Sequence, residues 1–259
     1  MSRPWKSELR VRLGRGATAV QRLAPWSRRV LDEVRCEGAP AQALPAALSA
    51  LRERSAEPLP AQARLCVPDE LAYLSLIAGD NGWHGTRQAA VTHFAATLGR
   101  QDLIVQAVAL PGAAAWLAAA IEPADLQAWQ RALAEAGVRL AHVELQLLDD
   151  LRHLAGQVPD EAIVALLREE GSTLLRIERG VPVELSWERC DPRALRLVEQ
   201  RLVAFQGSIV SSQPPSVWML CRSAEQREHW ERMTQAHGWT LLLRDAAPAA
   251  AAAAAEAGA

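Results

Sequence analysis

Two stretches of this chain repeat one pattern of apolar and polar positions. In residues 9–68, Leu9, Val11 and Leu13 alternate with Arg10 and Arg12, and the turn Gly14-Arg15-Gly16 follows. A second apolar run then reaches Leu23, and a third segment ends at Arg35-Cys36. In residues 163–245, Leu174 to Ile177 forms a run and Arg179-Gly180 a turn. Val181, Val183, Leu185 and Trp187 then alternate with Pro182, Glu184, Ser186 and Glu188 as far as Arg189-Cys190. After each cysteine come one amphipathic helix and a short buried run, Ala63 to Cys66 in the first stretch and Trp218 to Cys221 in the second. Period-two alternation marks half-buried strands, so each copy predicts a β-hairpin sheet with a helix packed on it. The spacings agree: Cys36 to Cys66 is 30 residues and Cys190 to Cys221 is 31. Duplicated halves facing one another would enclose a cleft, the usual place for a site.

Helices are predicted where caps and periodicity coincide. Asp191 as N-cap and Pro192 at the first helical position open a helix with Leu195, Val198, Leu202 and Phe205 on one stripe. Ser223 and Gln226 form a capping box before Trp230 and Met233, and Gly238 ends that helix. Pro123 starts another, with Leu126, Trp129, Leu133 and Ala136 inward and Gly137 as its stop. A further helix runs from Thr86 to Leu98, facing inward through Val91, Phe94, Ala95 and Leu98. Strands are predicted at Leu71–Ile77, Ile104–Leu110 and Val138–Leu145, and a helix at Gln146–Ala155; Leu103 to Ile121 reads as a buried strand running into a helix. Gly, Pro and polar residues at 155–159 mark the crossing between halves. The domains are therefore 1–157, carrying an inserted segment 71–99, and 158–245. Residues 246–259 form an alanine-rich tail of linker or disordered character.

A net charge of −2, from 28 basic and 30 acidic residues, supplies no field to draw the chain to nucleic acid. Lys6 is the single lysine; with abundant alanine this is the composition of a GC-rich bacterial coding sequence. At 50% hydrophobic residues the chain can bury a substantial core. No N-terminal segment has the arrangement of a secretory signal, so a cytoplasmic location is expected. Cys36, Cys66, Cys190 and Cys221 lack C-x-x-C spacing and read as buried free thiols.

The six histidines show no metal-ligand spacing, and no G-x-S-x-G elbow occurs; Ser208, Ser211 and Ser212 sit in a connecting loop. Asp149 and Asp150, near His153, read as a helix-terminal charge pair ahead of acid–base chemistry. Gly14 and Gly16 could cradle a phosphate with their amides, but a tight hairpin with positive φ is the favoured reading. Trp129, Trp187, Trp218 and Trp230 fall on inner faces. Trp83, with His84 beside it, lies in Gly79–Gly85, which reads as a loop where a large aromatic could anchor a partner.

The order hairpin, third strand, helix, strand, helix, duplicated around a cleft, resembles the actin-like ATPase fold, whose halves are ribonuclease H-like. Its texture resembles the PilM-like and GspL-like cytoplasmic scaffolds of type IV pilus and type II secretion machines. The best local match is Leu103–Leu151, with the turn Leu110-Pro111-Gly112 and the segment EAGVRLAHVELQLLDDL; the pattern covers roughly residues 8–245. The fold class implied is mixed α/β with duplicated actin-like halves and reduced subdomains. Nucleotide-binding members carry an acidic residue just before the first phosphate glycine, where this chain has Arg12 ahead of Leu13-Gly14. A second Asp-x-Gly turn should open the second half, yet residues 166–171 read Leu-Leu-Arg-Glu-Glu-Gly, with Glu169 and Glu170 as weak substitutes.

The resemblance therefore implies a pseudo-ATPase without cofactor or metal, in which ATP is not expected to bind. Its implied partners are an inner-membrane assembly protein, received in a groove beside segment 71–99, and an assembly or secretion ATPase; a homodimer is also compatible. The rival reading is a degenerate, sugar-kinase-like phosphotransferase in which Gly14, Gly16, Glu169 and Glu170 still handle a nucleotide. A third is a dimerisation module unrelated to actin.

Overall fold

A computed structural model describes residues 7–25, 29–55, 57–79, 82–110, 115–168, 170–189, 195–209, 215–221 and 227–243. The chain opens with β1 (Glu8–Arg12), β2 (Ala17–Leu23), β3 (Val30–Glu37), α1 (Pro40–Arg54) and β4 (Gln62–Val67). An excursion follows: β5 (Tyr73–Ala78), α2 (Gly82–Leu98), β6 (Ile104–Ala109) and β7 (Ala115–Ile121). Then come α3 (Pro123–Glu135), β8 (Arg139–Leu145) and α4 (Gln146–Leu154). The remainder is β9 (Ala162–Leu167), β10 (Gly171–Glu178), β11 (Val181–Arg189), α5 (Leu195–Ser208), β12 (Ser216–Cys221), α6 (Arg227–His237) and β13 (Thr240–Leu243).

The duplication is explicit in the strand orders. One sheet runs β3-β2-β1-β4-β8 and another β11-β10-β9-β12-β13. In each, the first three strands form an antiparallel meander, and the fourth and fifth join in parallel beside the first. Cys66 and Cys221 therefore occupy the same strand of the two sheets. Arg189 is the last residue of its third strand and pairs with Gly171, the first of β10, whereas Arg35 falls two residues before the end of the matching strand, where Glu37 pairs with Ala17, the first of β2. Cys190 lies outside the described residues, as do Asp191, Pro192, Ser223 and Gln226 with their proposed caps.

Among the described residues, 7–71 with 123–149 form one compact unit, and 72–122 with 150–243 form the other. In the first, the apolar face of β1 (Leu9, Val11) is buried together with Ala43, Leu44, Ala47, Leu48 and Leu51 of α1. Each fully buried leucine of that stripe contributes about 1.5–3 kcal/mol. Trp129 and Leu133 bury the facing stripe of α3. Gly137 follows that helix with φ 76°, and Val138 N–H returns to the Leu133 carbonyl at 2.9 Å, a left-handed glycine stop. In the second unit, Ile163, Ala165, Leu167, Val198, Leu202, Met219, Trp230 and Met233 share one core. β9 is buried at every position because strands flank it on both sides and both faces are covered. β10 and β11 are joined by Arg179 (φ 52°) and Gly180 (φ 75°), a two-residue hairpin turn with both residues left-handed.

Several expectations are corrected. Residues 115–121, expected as helix, form β7, the central strand of the sheet β5-β7-β6. Pairing on both sides and burial override the helical preference of its alanines. α2 starts four residues before Thr86, and its buried positions are Thr86, Ala90 and Phe94, with Val91 and Leu98 only partly covered. β11 does not bury its apolar alternation: Pro182 is buried while Val183 is exposed, in keeping with an edge strand whose ladder shifts register at Arg176/Ile177. Trp187 and Trp218 are half-buried, unlike Trp129 and Trp230. Cys66 is buried but Cys36 only partly so, and both are free thiols. Among the described residues no helix is long and apolar enough to cross a membrane.

Candidate functional site

The two matching hairpins, where β1 turns into β2 and β9 into β10, are the places where a phosphate would be held if the resemblance extended to chemistry. At the first, Arg12 ends β1 and Leu13 to Gly16 make the turn. Leu13 N–H donates to the Cys66 carbonyl at 3.1 Å, and the Gly16 carbonyl accepts from Gly38 N–H at 2.7 Å. Gly14 is buried and Gly16 exposed. Neither has positive φ, so the expectation of a left-handed hairpin glycine at these positions is wrong. The connection from Arg12 to its partner Ala19 is long enough to turn without one. Arg12 is half-buried at the strand end, so the side chain beside the glycines is cationic and cannot ligate Mg²⁺.

The second hairpin is tighter. Leu167 pairs with Ser172, and Arg168 N–H donates to the Gly171 carbonyl at 2.9 Å. Gly171 is required by a close backbone approach, since a Cβ there would lie 2.3 Å from the Glu188 carbonyl oxygen of β11. Arg168 is buried, and its Nη1 donates to Oδ2 of Asp150 at 2.6 Å; the two side chains are 1% and 0% exposed. The expectation that Asp150 is a helix-terminal charge is therefore replaced by a buried ion pair. Two charges removed from water this far persist only as a pair, because either alone would carry several kcal/mol of desolvation penalty. Asp149, next in sequence, pairs instead with Arg10 at 3.9 Å. Glu170 lies 3.6 Å from Arg189, and Glu169 is outside the described residues. The carboxylate of Asp150 is thus engaged by an arginine, and that of Glu170 also faces one.

A separate surface surrounds Trp83. It stands in the first turn of α2, not in a loop, because the helix begins at Gly82. Its side chain is 45% exposed. The His84 ring meets it edge-on at 4.7 Å, and the Arg87 guanidinium sits 5.9 Å from the indole centroid, a cation–π contact. Arg87 also donates Nε–H to the Val105 carbonyl at 3.1 Å, which ties this turn of α2 to β6. On the same helix, Nε2 of His93 lies 3.0 Å from the Ser75 hydroxyl. Among the described residues no three His, Cys, Asp or Glu side chains converge as a metal site.

The duplicated strand order and the excursion between β4 and α3 define an actin-like ATPase fold, and comparison with solved structures agrees. No protein-family profile and no curated protein matches the chain. The structure of the PilM–PilN type IV pilus biogenesis complex is similar with a TM-score of 0.71 at 11% identity, covering 93% of this chain and 89% of that one. A Bacteroides thetaiotaomicron protein with an actin-like ATPase fold and unknown function gives 0.64 at 12% identity, covering 93% and 91%. The cytoplasmic domain of EpsL, an inner-membrane component of the type II secretion system of Vibrio cholerae, gives 0.54 at 13% identity, covering 93% and 86%.

Proposed function

We propose that this chain is a non-catalytic, actin-like scaffold of a bacterial type IV pilus or type II secretion-type assembly machine. In this reading it links an inner-membrane protein to the assembly ATPase from the cytoplasmic side. The observation that carries the non-catalytic part is the buried Arg168–Asp150 pair. It places a paired guanidinium at the second hairpin, as Arg12 places a cation at the first. Mg²⁺-dependent phosphoryl transfer needs carboxylates to hold metal and position water, and here Asp150 already serves an arginine. The partner assignment draws on the likeness to the PilM–PilN complex over 93% of the chain. Trp83 and His84 are the residues we assign to a partner contact, since an exposed aromatic held by Arg87 is already ordered before binding.

Titration calorimetry with ATP and Mg²⁺ tests the first part: no saturable heat is expected. Affinity of about 10 μM or better, dependent on Mg²⁺, would defeat it and favour the phosphotransferase reading. Affinity capture from detergent-solubilised membranes of the source bacterium tests the second. The pilus or secretion inner-membrane component should be retained by the wild-type chain and lost by Trp83→Ala; equal retention by both would remove Trp83 from the contact.

A further inference from the structure

The first turns of α2 present a cation that pairs with no carboxylate among the described residues. Arg87 is the only Arg, Lys, Asp or Glu on that helix, and the sequence has no acidic residue from 81 to 101. Asp102, the next acid, is taken by Arg100, which also holds Glu122. The Arg87 side chain is exposed yet held at two points. Its Nε–H donates to the Val105 carbonyl at 3.1 Å, and its guanidinium lies 5.9 Å from the centroid of the Trp83 indole. A guanidinium has five N–H donors, and the four on the two Nη atoms meet no acceptor among the described residues. The indole beside it is itself 45% exposed. An ordered cation and an ordered apolar plate thus stand side by side, with little conformational freedom left to lose on binding.

We propose that this turn recognises an acidic peptide segment of the partner, with an Asp or Glu carboxylate on the two Nη groups of Arg87 and an apolar side chain on the Trp83 indole. The inference rests on the reading of Trp83 as a partner contact, and not on the pilus or secretion assignment. A carboxylate is the ligand that matches the free fork, because two parallel N–H···O bonds form at once and a charge-assisted bond is about twice as strong as a neutral one. The spacing selects an extended segment. Residues i and i+2 of such a segment lie on one side about 6.5–7 Å apart, close to the 5.9 Å that separates guanidinium from indole. The acid should therefore stand two positions from the apolar residue. Arg87 also closes the edge of β6 at the Val105 carbonyl, so the segment is held by its side chains and not by strand pairing. An anionic lipid surface is the poorer match. Recruitment to one takes a cluster of about four to eight basic residues, and α2 and β6 together offer a single arginine.

Random peptides displayed on phage and panned on the full chain are the probe. Selected sequences should share an Asp or Glu two positions from Leu, Ile, Phe or Trp. The strongest is then synthesised with a fluorescent label, as the acid and as its carboxamide, and both are titrated by anisotropy against the wild type and Arg87→Gln. On the wild type the carboxamide should bind at least about ten-fold more weakly. On Arg87→Gln the two peptides should bind alike, which a merely structural role of Arg87 would not produce, and Trp83→Ala should weaken both. An equal carboxamide loss on Arg87→Gln, or a selected consensus without an acid, overturns the inference. So does binding of the wild type to phosphatidylserine–phosphatidylcholine vesicles that Arg87→Gln abolishes, which would assign the turn to a membrane. Should Arg87→Gln fail to fold, Arg87→Met, which keeps the apolar stem and drops the charge, takes its place in the cycle. Affinity capture from membranes separates this inference from the reading it rests on. A component lost by Trp83→Ala but kept by Arg87→Gln overturns the carboxylate and leaves the Trp83 contact standing, whereas one kept by both removes the contact itself.

Discussion

Asp150→Ala should be among the most damaging single substitutions in this protein. It removes the partner of a guanidinium that is 1% exposed and leaves the cation in the interior at the end of β9. Breaking a buried pair from one side costs about 3–5 kcal/mol, against a total stability of about 5–15 kcal/mol for a domain. At about 2–4 °C per kcal/mol for a domain of this size, the transition that includes β9 should fall by roughly 6–20 °C. The compensating change is Arg168→Met in the same chain. With both charges gone and a flexible apolar side chain in the space, the double variant should recover most of the loss or exceed the wild type, since apolar replacements of buried pairs are often neutral or stabilising. Urea denaturation followed by circular dichroism gives the four corners of the cycle. Hydrogen exchange of the β9 and β10 amides shows whether the loss sits in the second sheet, which matters because two compact units need not unfold together. A single variant within about 1 kcal/mol of wild type, or a double variant worse than the single, would refute the view that Arg168 depends on Asp150 for its burial.

Gly171→Ala forces a methyl group against the Glu188 carbonyl oxygen at 2.3 Å and should destabilise by about 1–3 kcal/mol, read as a lowered denaturant midpoint. Gly180→Ala puts a Cβ on a residue at φ 75° and should lose about 1–2 kcal/mol in the same assay. Trp83→Ala, at an exposed position, should stay within about 0.5 kcal/mol of wild-type stability by thermal melting while losing partner retention. The Arg100 guanidinium holds the Asp102 carboxyl below its ordinary range, chiefly through their hydrogen bond. Arg100→Ala should therefore return that carboxyl toward about 3.9 in an NMR titration. A carboxyl depressed in the folded state contributes stability above its unfolded pKa and loses it as pH falls through the folded one, so the variant should be less acid-sensitive at this position.

What could be read from the sequence was what periodicity encodes. Leu9, Val11 and Leu13 alternate with arginines because one face of β1 is apolar and buried and the other is not, and Trp129 and Leu133 recur at helical spacing because α3 buries a single stripe. β7 was misread because alanine favours helix locally, and the two neighbouring strands that decide otherwise are remote in sequence. β9 carries no period at all, as expected of a strand covered on both faces. Trp83 looked like a loop residue because Gly82 and Gly85 suggest a turn, whereas Gly82 in fact begins α2 with φ 63°. The Arg168–Asp150 pair left no trace: its members are 18 residues apart on different elements, and nothing in composition distinguishes a buried arginine from a solvated one.

The central place of β9 has a consequence for how the chain is made. Its antiparallel neighbour β10 follows after a turn, but its parallel neighbour β12 begins at Ser216, some fifty residues beyond the end of β9. At a synthesis rate of about 5–20 residues per second, one edge of Ala-Ile-Val-Ala-Leu-Leu stays open for several seconds after the meander can form. An uncharged, proline-free run of this kind is the type of segment that recruits a neighbouring chain. The residues bounding it are Asp160 and Glu161 on one side and Arg168 on the other, charges placed where they discourage intermolecular stacking until β12 arrives. Arg168 then changes role, from a solvated guard on the nascent strand to the buried cation that Asp150 holds in the finished fold.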